Sequence, residues 1–156
     1  RPGGGGGLLA LPFATSAPAV GFGRRFVATV GADMAEFLGR YDAARDLFLL
    51  ALDGGTVVGG VTIDRGEHAP AERLAHLRWF VVAPDSRGQG VGRALLGRAV
   101  AFARAHGDRH IYLWTVDALP TARHLYDQAG FVQVGQAVDS TWGKPMVEQK
   151  LVLDLA

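Results

Sequence analysis

The chain has 156 residues, 49% hydrophobic and 20% charged, with a formal net charge of +1 and no cysteine. That length suits one domain burying roughly 68–70% of the surface its unfolded chain exposes. The near-neutral charge offers no single-sign field for nucleic acid or a membrane surface, and the missing cysteines exclude disulfides, Cys-ligated zinc and a thiol nucleophile.

Residues 1–21, RPGGGGGLLALPFATSAPAVG, are expected to be an irregular Gly/Pro-rich segment. Gly3 to Gly7 cost backbone entropy in any regular element, and Pro12 and Pro18 break helices. Only Arg1 could serve as a basic region before the short apolar stretch, so no signal peptide is expected. No apolar run reaches the roughly 20 residues of a membrane span, and the location read from the sequence is cytoplasmic.

A second segment, 22–156, reads as the folded domain. Phe26, Val30, Met34, Phe37, Leu38 and Tyr41 recur at three- and four-residue steps, which predicts one or two amphipathic helices over 22–44. LFLLALDGGTVVGGVTIDR (47–65) predicts two strands about an Asp53-Gly54-Gly55 turn. Residues 66–74 read as a polar loop. AHLRWFVVA (75–83) is almost continuously apolar, the pattern of a central strand. Val91, Leu95, Leu96, Ala99, Val100 and Phe102 set a helical stripe that ends near His106-Gly107. HIYLWTV (110–116) is a strand, Leu119–Ala129 a helix closed by Gly130, and FVQVGQAV and MVEQKLVLDL two last strands around a polar loop at 139–144. The order predicts an α/β fold with one mixed central sheet flanked by helices.

The junction between the third strand and its helix is the most informative stretch. A helix N-terminus offers unpaired N–H groups and about half a positive charge, so phosphate is its usual guest. Here Gly88, Gly90 and Gly92 allow close backbone approach, and Arg87 and Arg93 add charge. A P-loop is excluded, because no Lys-Ser or Lys-Thr follows; the only lysines are Lys144 and Lys150. A dinucleotide fingerprint fails too: counting from Gly88 its last glycine would be Arg93, and from Gly90 it would be Leu95. The three serines, Ser16, Ser86 and Ser140, lie outside any G-x-S-x-G, which argues against hydrolase chemistry. His106 and His110 share an i, i+4 spacing, but Gly107-Asp108 between them predicts a turn, and no metal site is expected.

Arg87-Gly88-Gln89-Gly90-Val91-Gly92 resembles the R/Q-x-x-G-x-G/A motif of the GCN5-related N-acetyltransferases (GNAT). ALPTARHLYDQAGF (118–131) is similar to that family's A-x-x-L-Y-x-x-x-G-F segment, in the right order and about 35 residues downstream. LRWFVV, IYLWT, TARHLY, Trp142-Gly143 and Glu148-Gln149 look more narrowly like acetyltransferase domains fused behind winged-helix regulators of the MarR type. The resemblance covers roughly residues 22–155. At the position seven before the helix tyrosine, where many members carry Asn, this chain has Leu119.

The resemblance implies the acyl-CoA N-acyltransferase fold, acetyl-CoA as co-substrate without a metal, and an amine-bearing acceptor that is a small molecule or a protein. It places the pyrophosphate on Arg87, Gly88, Gln89, Gly90, Val91, Gly92 and Arg93. It places the pantetheine arm along Phe80, Val81 and Val82, on strands that splay apart, as an added strand would lie. A main-chain N–H near Phe80 or Val81 would serve the oxyanion. Tyr126 takes the family's tyrosine position, where its phenol would assist thiolate departure; otherwise it would pack on Phe131 with its hydroxyl solvated. His76 is a candidate base, put by strand alternation on one face with Arg78, Phe80 and Val82. Glu148, Asp117 and water are alternatives. Tyr112, Trp114 and Trp142 could line an acceptor pocket or belong to the core. Dimers are frequent in the family, so a homodimer is allowed. A non-catalytic acyl-CoA sensor is the competing reading.

Overall fold

A computed structural model describes residues 24–53, 55–66, 68–84, 90–116, 120–139 and 145–155. The predicted segment 1–21 lies outside these, as do Gly54, Asp117, Leu119 and the loop with Trp142. The periodic stretch after residue 22 forms one helix, α1 (Arg24–Gly39). The chain then turns through Asp42–Asp46, where the Arg45 and Asp46 N–H groups donate to the Asp42 carbonyl. Strands β1 (Leu47–Asp53) and β2 (Thr56–Asp64) follow, with Gly55 at φ 89° in the turn between them. That left-handed conformation is open to glycine at little cost.

The loop at 66–74 contains a short 3-10 turn, Pro70–Glu72, before β3 (Leu74–Val82). Helix α2 (Val91–Ala105), β4 (His110–Val116), α3 (Pro120–Ala129), β5 (Val132–Asp139) and β6 (Met146–Asp154) complete the chain. The sheet order is β1-β2-β3-β4-β6-β5. Among the described strands only β3 and β4 run parallel, and α2 is their crossover. The long apolar strand is therefore central, as its composition predicts.

The two sides of the sheet are covered differently. On one, Leu95, Leu96, Ala99 and Ala103 of α2 pack with Val61, Ile63, Ala75, Leu77, Ile111 and Leu113. The α2 positions are spaced by three and four, so they share one helix face. On the other side α1 buries Met34 and Phe37 against the sheet. Phe37 meets Trp79 edge-on at 5.6 Å and Phe48 at 6.4 Å. Burying one such ring is worth about 1.5–3 kcal/mol, which fixes α1 over the β1–β3 half.

Candidate functional site

Strand β3 breaks its own alternation. Gly60 pairs with Val81 and Thr62 with Arg78, so Val61 stands opposite two residues, Trp79 and Phe80. This is a β-bulge, and Trp79 sits in it at φ 49°. An aromatic residue in the left-handed region is an outlier costing about 1–3 kcal/mol, and such strain gathers at functional sites. Two contacts hold it: the Phe37 ring and the Arg78 guanidinium 4.2 Å over the indole.

The bulge corrects one expectation. Before it, His76 and Arg78 lie on the α1 side, where Arg78 pairs with Asp64 at 3.0 Å. After it, Phe80 and Val82 lie on the α2 and α3 side: the Phe80 ring is 5.6 Å from that of Tyr126. His76 therefore does not share a face with Phe80 and Val82. The extra residue reverses the phase of an alternation whose period is two.

Beside the bulge the sheet opens. β3 and β4 pair only at Leu74–His110, Ala75–Ile111 and His76–Tyr112, although β3 runs on to Val82 and β4 to Val116. The strands diverge from there, as the family resemblance implies. Phe80, Val81 and Val82 thus form an edge toward the opening, while their other edge pairs with β2 through Gly59 and Gly60.

Helix α2 starts at the wide end of this opening. Gly90 is its N-cap at φ 81°, and the first backbone bond returning to it is Ala94 N–H to Gly90 O at 3.0 Å. The N–H groups of Val91, Gly92 and Arg93 precede that bond and have no partner within the helix. A Cβ on Gly90 would meet no atom within 4 Å, so this glycine answers to its φ and to whatever approaches from outside. Gly92 differs. A Cβ there would lie 2.8 Å from Leu125 Cδ1, 3.3 Å from Val82 Cγ2 and 3.4 Å from Phe80 Cζ, so its smallness serves helix–strand contact. Val91 is half-buried against the core, and Arg93 reaches Gln128 Oε1 at 3.4 Å from the exposed face. Arg87, Gly88 and Gln89 lie outside the described residues.

Tyr126 closes the site from the α3 side. The helix ends in Gly130 at φ 101°, and the Phe131 N–H donates to Tyr126 O at 3.1 Å. That turn tucks Phe131 beneath the tyrosine, ring to ring at 5.8 Å. Tyr126 is only 5% exposed, which excludes a solvated phenol on a surface helix. Burial pushes the phenol above its ordinary value, so it keeps its proton at neutral pH.

The opposite side of the opening carries a polar cluster. Since Ile111 and Leu113 point into the core, Tyr112 and Trp114 face away from it. Trp114 is 44% exposed, so it is not a core residue. Lys150 Nζ lies 5.1 Å from the Tyr112 ring centroid and 6.0 Å from that of Trp114. The His76 ring stacks on Tyr112 at 4.5 Å. Glu148 stands on β6 opposite Val116, at the far end of β4 from His76 and Tyr112. His68 and Glu72, in the loop read as merely polar, also join this cluster: His68 Nε2 meets the Tyr112 hydroxyl, and Nδ1 meets Glu72 Oε2 at 3.1 Å. A histidine and a glutamate four apart across Pro70 were the available signal. His106 instead bonds the Ala44 and Phe102 carbonyls, and among the described residues no cluster could hold a metal ion.

Comparison with known proteins agrees with this geometry. The family model described as "Acetyltransferase (GNAT) family" matches residues 21–131. The chain is 35% identical over 104 residues to a mycothiol acetyltransferase of Cellulomonas flavigena, covering 63% of this chain and 29% of that protein. It is 33% identical over 131 residues to N-acetyltransferase 8F1 of Rattus norvegicus, covering 83% of this chain and 58% of the relative. It thus spans less than two thirds of either relative's length. A GNAT-family structure from Desulfovibrio desulfuricans superposes with TM-score 0.78 at 21% identity, over 100% of this chain and 95% of the other. A strand bulge, a splayed parallel pair and a glycine-capped helix at its mouth thus occur in a sequence that the family model covers over most of its length, and the chain belongs to the GNAT acetyltransferase family.

Proposed function

We propose that the protein binds acetyl-CoA in the opening between β3 and β4 and transfers the acetyl group to a primary amine by direct attack. The observation that carries this reading is the splay itself. It leaves an unpaired strand edge beside the free N–H groups of α2, with a buried phenol behind. The diphosphate rests on Gly90, Val91, Gly92 and Arg93, helped by Arg87, Gly88 and Gln89 of the same motif. The amide-bearing pantetheine arm lies along Phe80, Val81 and Val82 as an extra strand. An N–H of the bulge stabilises the developing oxyanion. Tyr126 donates a hydrogen bond or a proton to the departing thiolate.

Incubation with acetyl-CoA and a panel of amines tests this reading, with mass spectrometry as the readout. Spermidine, glucosamine, phenylethylamine and a lysine peptide span the acceptor classes. Product heavier by one acetyl group is expected for at least one. Tight acetyl-CoA binding without transfer to any amine would favour the sensor reading. The narrower likeness to domains fused behind MarR-type regulators rests on the sequence segments alone.

Two further results are expected of the cofactor site. Gly90→Val puts a branched side chain at φ 81° in open space, so the strain costs about 1–3 kcal/mol and the fold survives. CoA affinity should fall strongly, and calorimetry showing unchanged affinity in the folded variant would remove the helix end from the site. Binding should also weaken from low to physiological salt, because Arg93 is exposed and screened by ions. A flat salt dependence would count against charge recognition.

A further inference from the structure

We propose that Glu72, His68 and Tyr112 form a proton relay that removes the proton from the acceptor ammonium, with the Tyr112 hydroxyl as the group that touches the acceptor. This inference rests on the acetyl-transfer reading above and adds its base. Its starting point is position. His76–Tyr112 is the last pair before β3 and β4 part, so Tyr112 stands at the vertex of the opening. It faces the side opposite Tyr126. The amine arrives at the thioester carbon from one direction and the thiolate leaves in another, so a base for the amine and an acid for the thiol can stand on different sides of the sheet.

The hydrogen bonds of the three side chains run in one order. Glu72 Oε1 accepts the Ala69 N–H at 3.0 Å, and that bond holds the carboxyl below its ordinary value, so it is ionised. Its other oxygen, Oε2, can then only accept from His68 Nδ1, at 3.1 Å. A proton fixed on Nδ1 leaves the Nε2 lone pair to accept the Tyr112 O–H. Carboxylate, imidazole and hydroxyl in this sequence is the arrangement by which a weakly acidic hydroxyl is made to give up its proton. His76 stacked on the ring and Lys150 beside it fix the phenol. Among the described residues Arg45 also reaches His68, donating to its carbonyl at 3.1 Å.

The step balances without a further reactant. The ammonium gives one proton to the Tyr112 oxygen as the Tyr112 proton passes to His68 Nε2, leaving an imidazolium against the Glu72 carboxylate. The amine lone pair forms the C–N bond, and the C–S bond breaks with its electron pair on sulfur. The second proton lost by nitrogen replaces the one that Tyr126 gives the thiolate. His68, with 17% of its side chain exposed, returns its proton to solvent.

The test compares two nucleophiles: the best primary amine of the panel, cationic at pH 7, and hydroxylamine, which is largely neutral there and whose direct reaction with acetyl-CoA is subtracted as a protein-free blank. In His68→Gln and Tyr112→Phe, kcat/KM with the amine should fall about 10²-fold, the range of positioned acid–base groups. The rate with hydroxylamine and the acetyl-CoA affinity should hold. With the amine, activity of His68→Gln should climb with pH where the wild type has levelled off. Glu72→Gln, on an exposed turn, provides a variant without a folding risk and should show the same selective loss at smaller size. Equal losses with both nucleophiles, or none with the amine, would overturn the relay while leaving acetyl transfer intact. A wild type that acetylates no amine would instead remove the reading on which the relay rests.

Discussion

Tyr126→Phe should lower kcat about 10²-fold or more while leaving acetyl-CoA affinity and thermal stability almost unchanged. The ring contacts with Phe80 and Phe131 persist in the variant, because phenylalanine keeps the aromatic body that makes them. Only the hydroxyl is lost. A free thiol has a reference value near 8.5 and a phenol near 10, so tyrosine can share its proton with a departing thiolate. Burial raises the phenol further, which keeps it protonated through the neutral range and makes it a donor rather than a base. A loss confined to kcat marks a contact made mainly in the transition state. Steady-state kinetics with calorimetry decide it: full kcat would take Tyr126 out of the chemistry, and a matching loss of stability would make its role structural.

Asp64→Ala should cost about 3–5 kcal/mol of stability, the range for removing one partner of a buried ion pair. The carboxylate is 1% exposed. It accepts Arg40 Nη1 at 2.8 Å, Arg40 Nη2 at 2.9 Å, Arg78 Nη1 at 3.0 Å and the Gly66 N–H at 2.9 Å. Burial alone would raise this carboxyl, but Arg40, the Gly66 N–H and Arg78 outweigh it and hold the group well below the ordinary carboxylate range. A depressed carboxyl contributes stability above its unfolded value, near 3.9. That contribution disappears as pH falls through the folded value. Urea unfolding at neutral pH and again in acid tests both parts: the gap between wild type and variant should be wide at pH 7 and shrink below about pH 4. A gap that is absent at pH 7, or that does not narrow in acid, would show that these contacts contribute little. Because Arg40 follows α1 and Arg78 precedes Trp79, activity should suffer as well.

The element order was legible because apolar spacing changes cleanly from period two to period 3.6 along the chain, and glycines mark the turns at 55, 107 and 130. The opening between β3 and β4 came from the family resemblance. No local pattern announces where two parallel strands stop pairing. The bulge was not legible at all. A bulge with a left-handed residue normally carries glycine there, and this one carries Trp79 inside the unbroken apolar run WFVV. Its strain is offset by Phe37 and Arg78, contacts that exist only after folding. Strand alternation carried across it placed His76 on the wrong side. His68 was missed for a related reason: its partner Tyr112 is 44 residues away, and only the sheet brings them together.

The bulge also sets the phase of the strand that holds it. Phe80 and Val82 reach Tyr126 and Gly92 because the bulge absorbs one surplus residue before them. Deleting Trp79 alone would remove that surplus, restore plain alternation and leave Phe80 opposite Val61, with both side chains still toward Tyr126 and Gly92. Deleting Arg78 and Trp79 together would turn both side chains toward Phe37, leaving Tyr126 without its aromatic neighbour on that strand. The bulge is thus a spacer one residue long: β3 can lose it and keep Phe80 and Val82 on their helix, but a second loss between Leu77 and Phe80 would exchange the groups that face the opening.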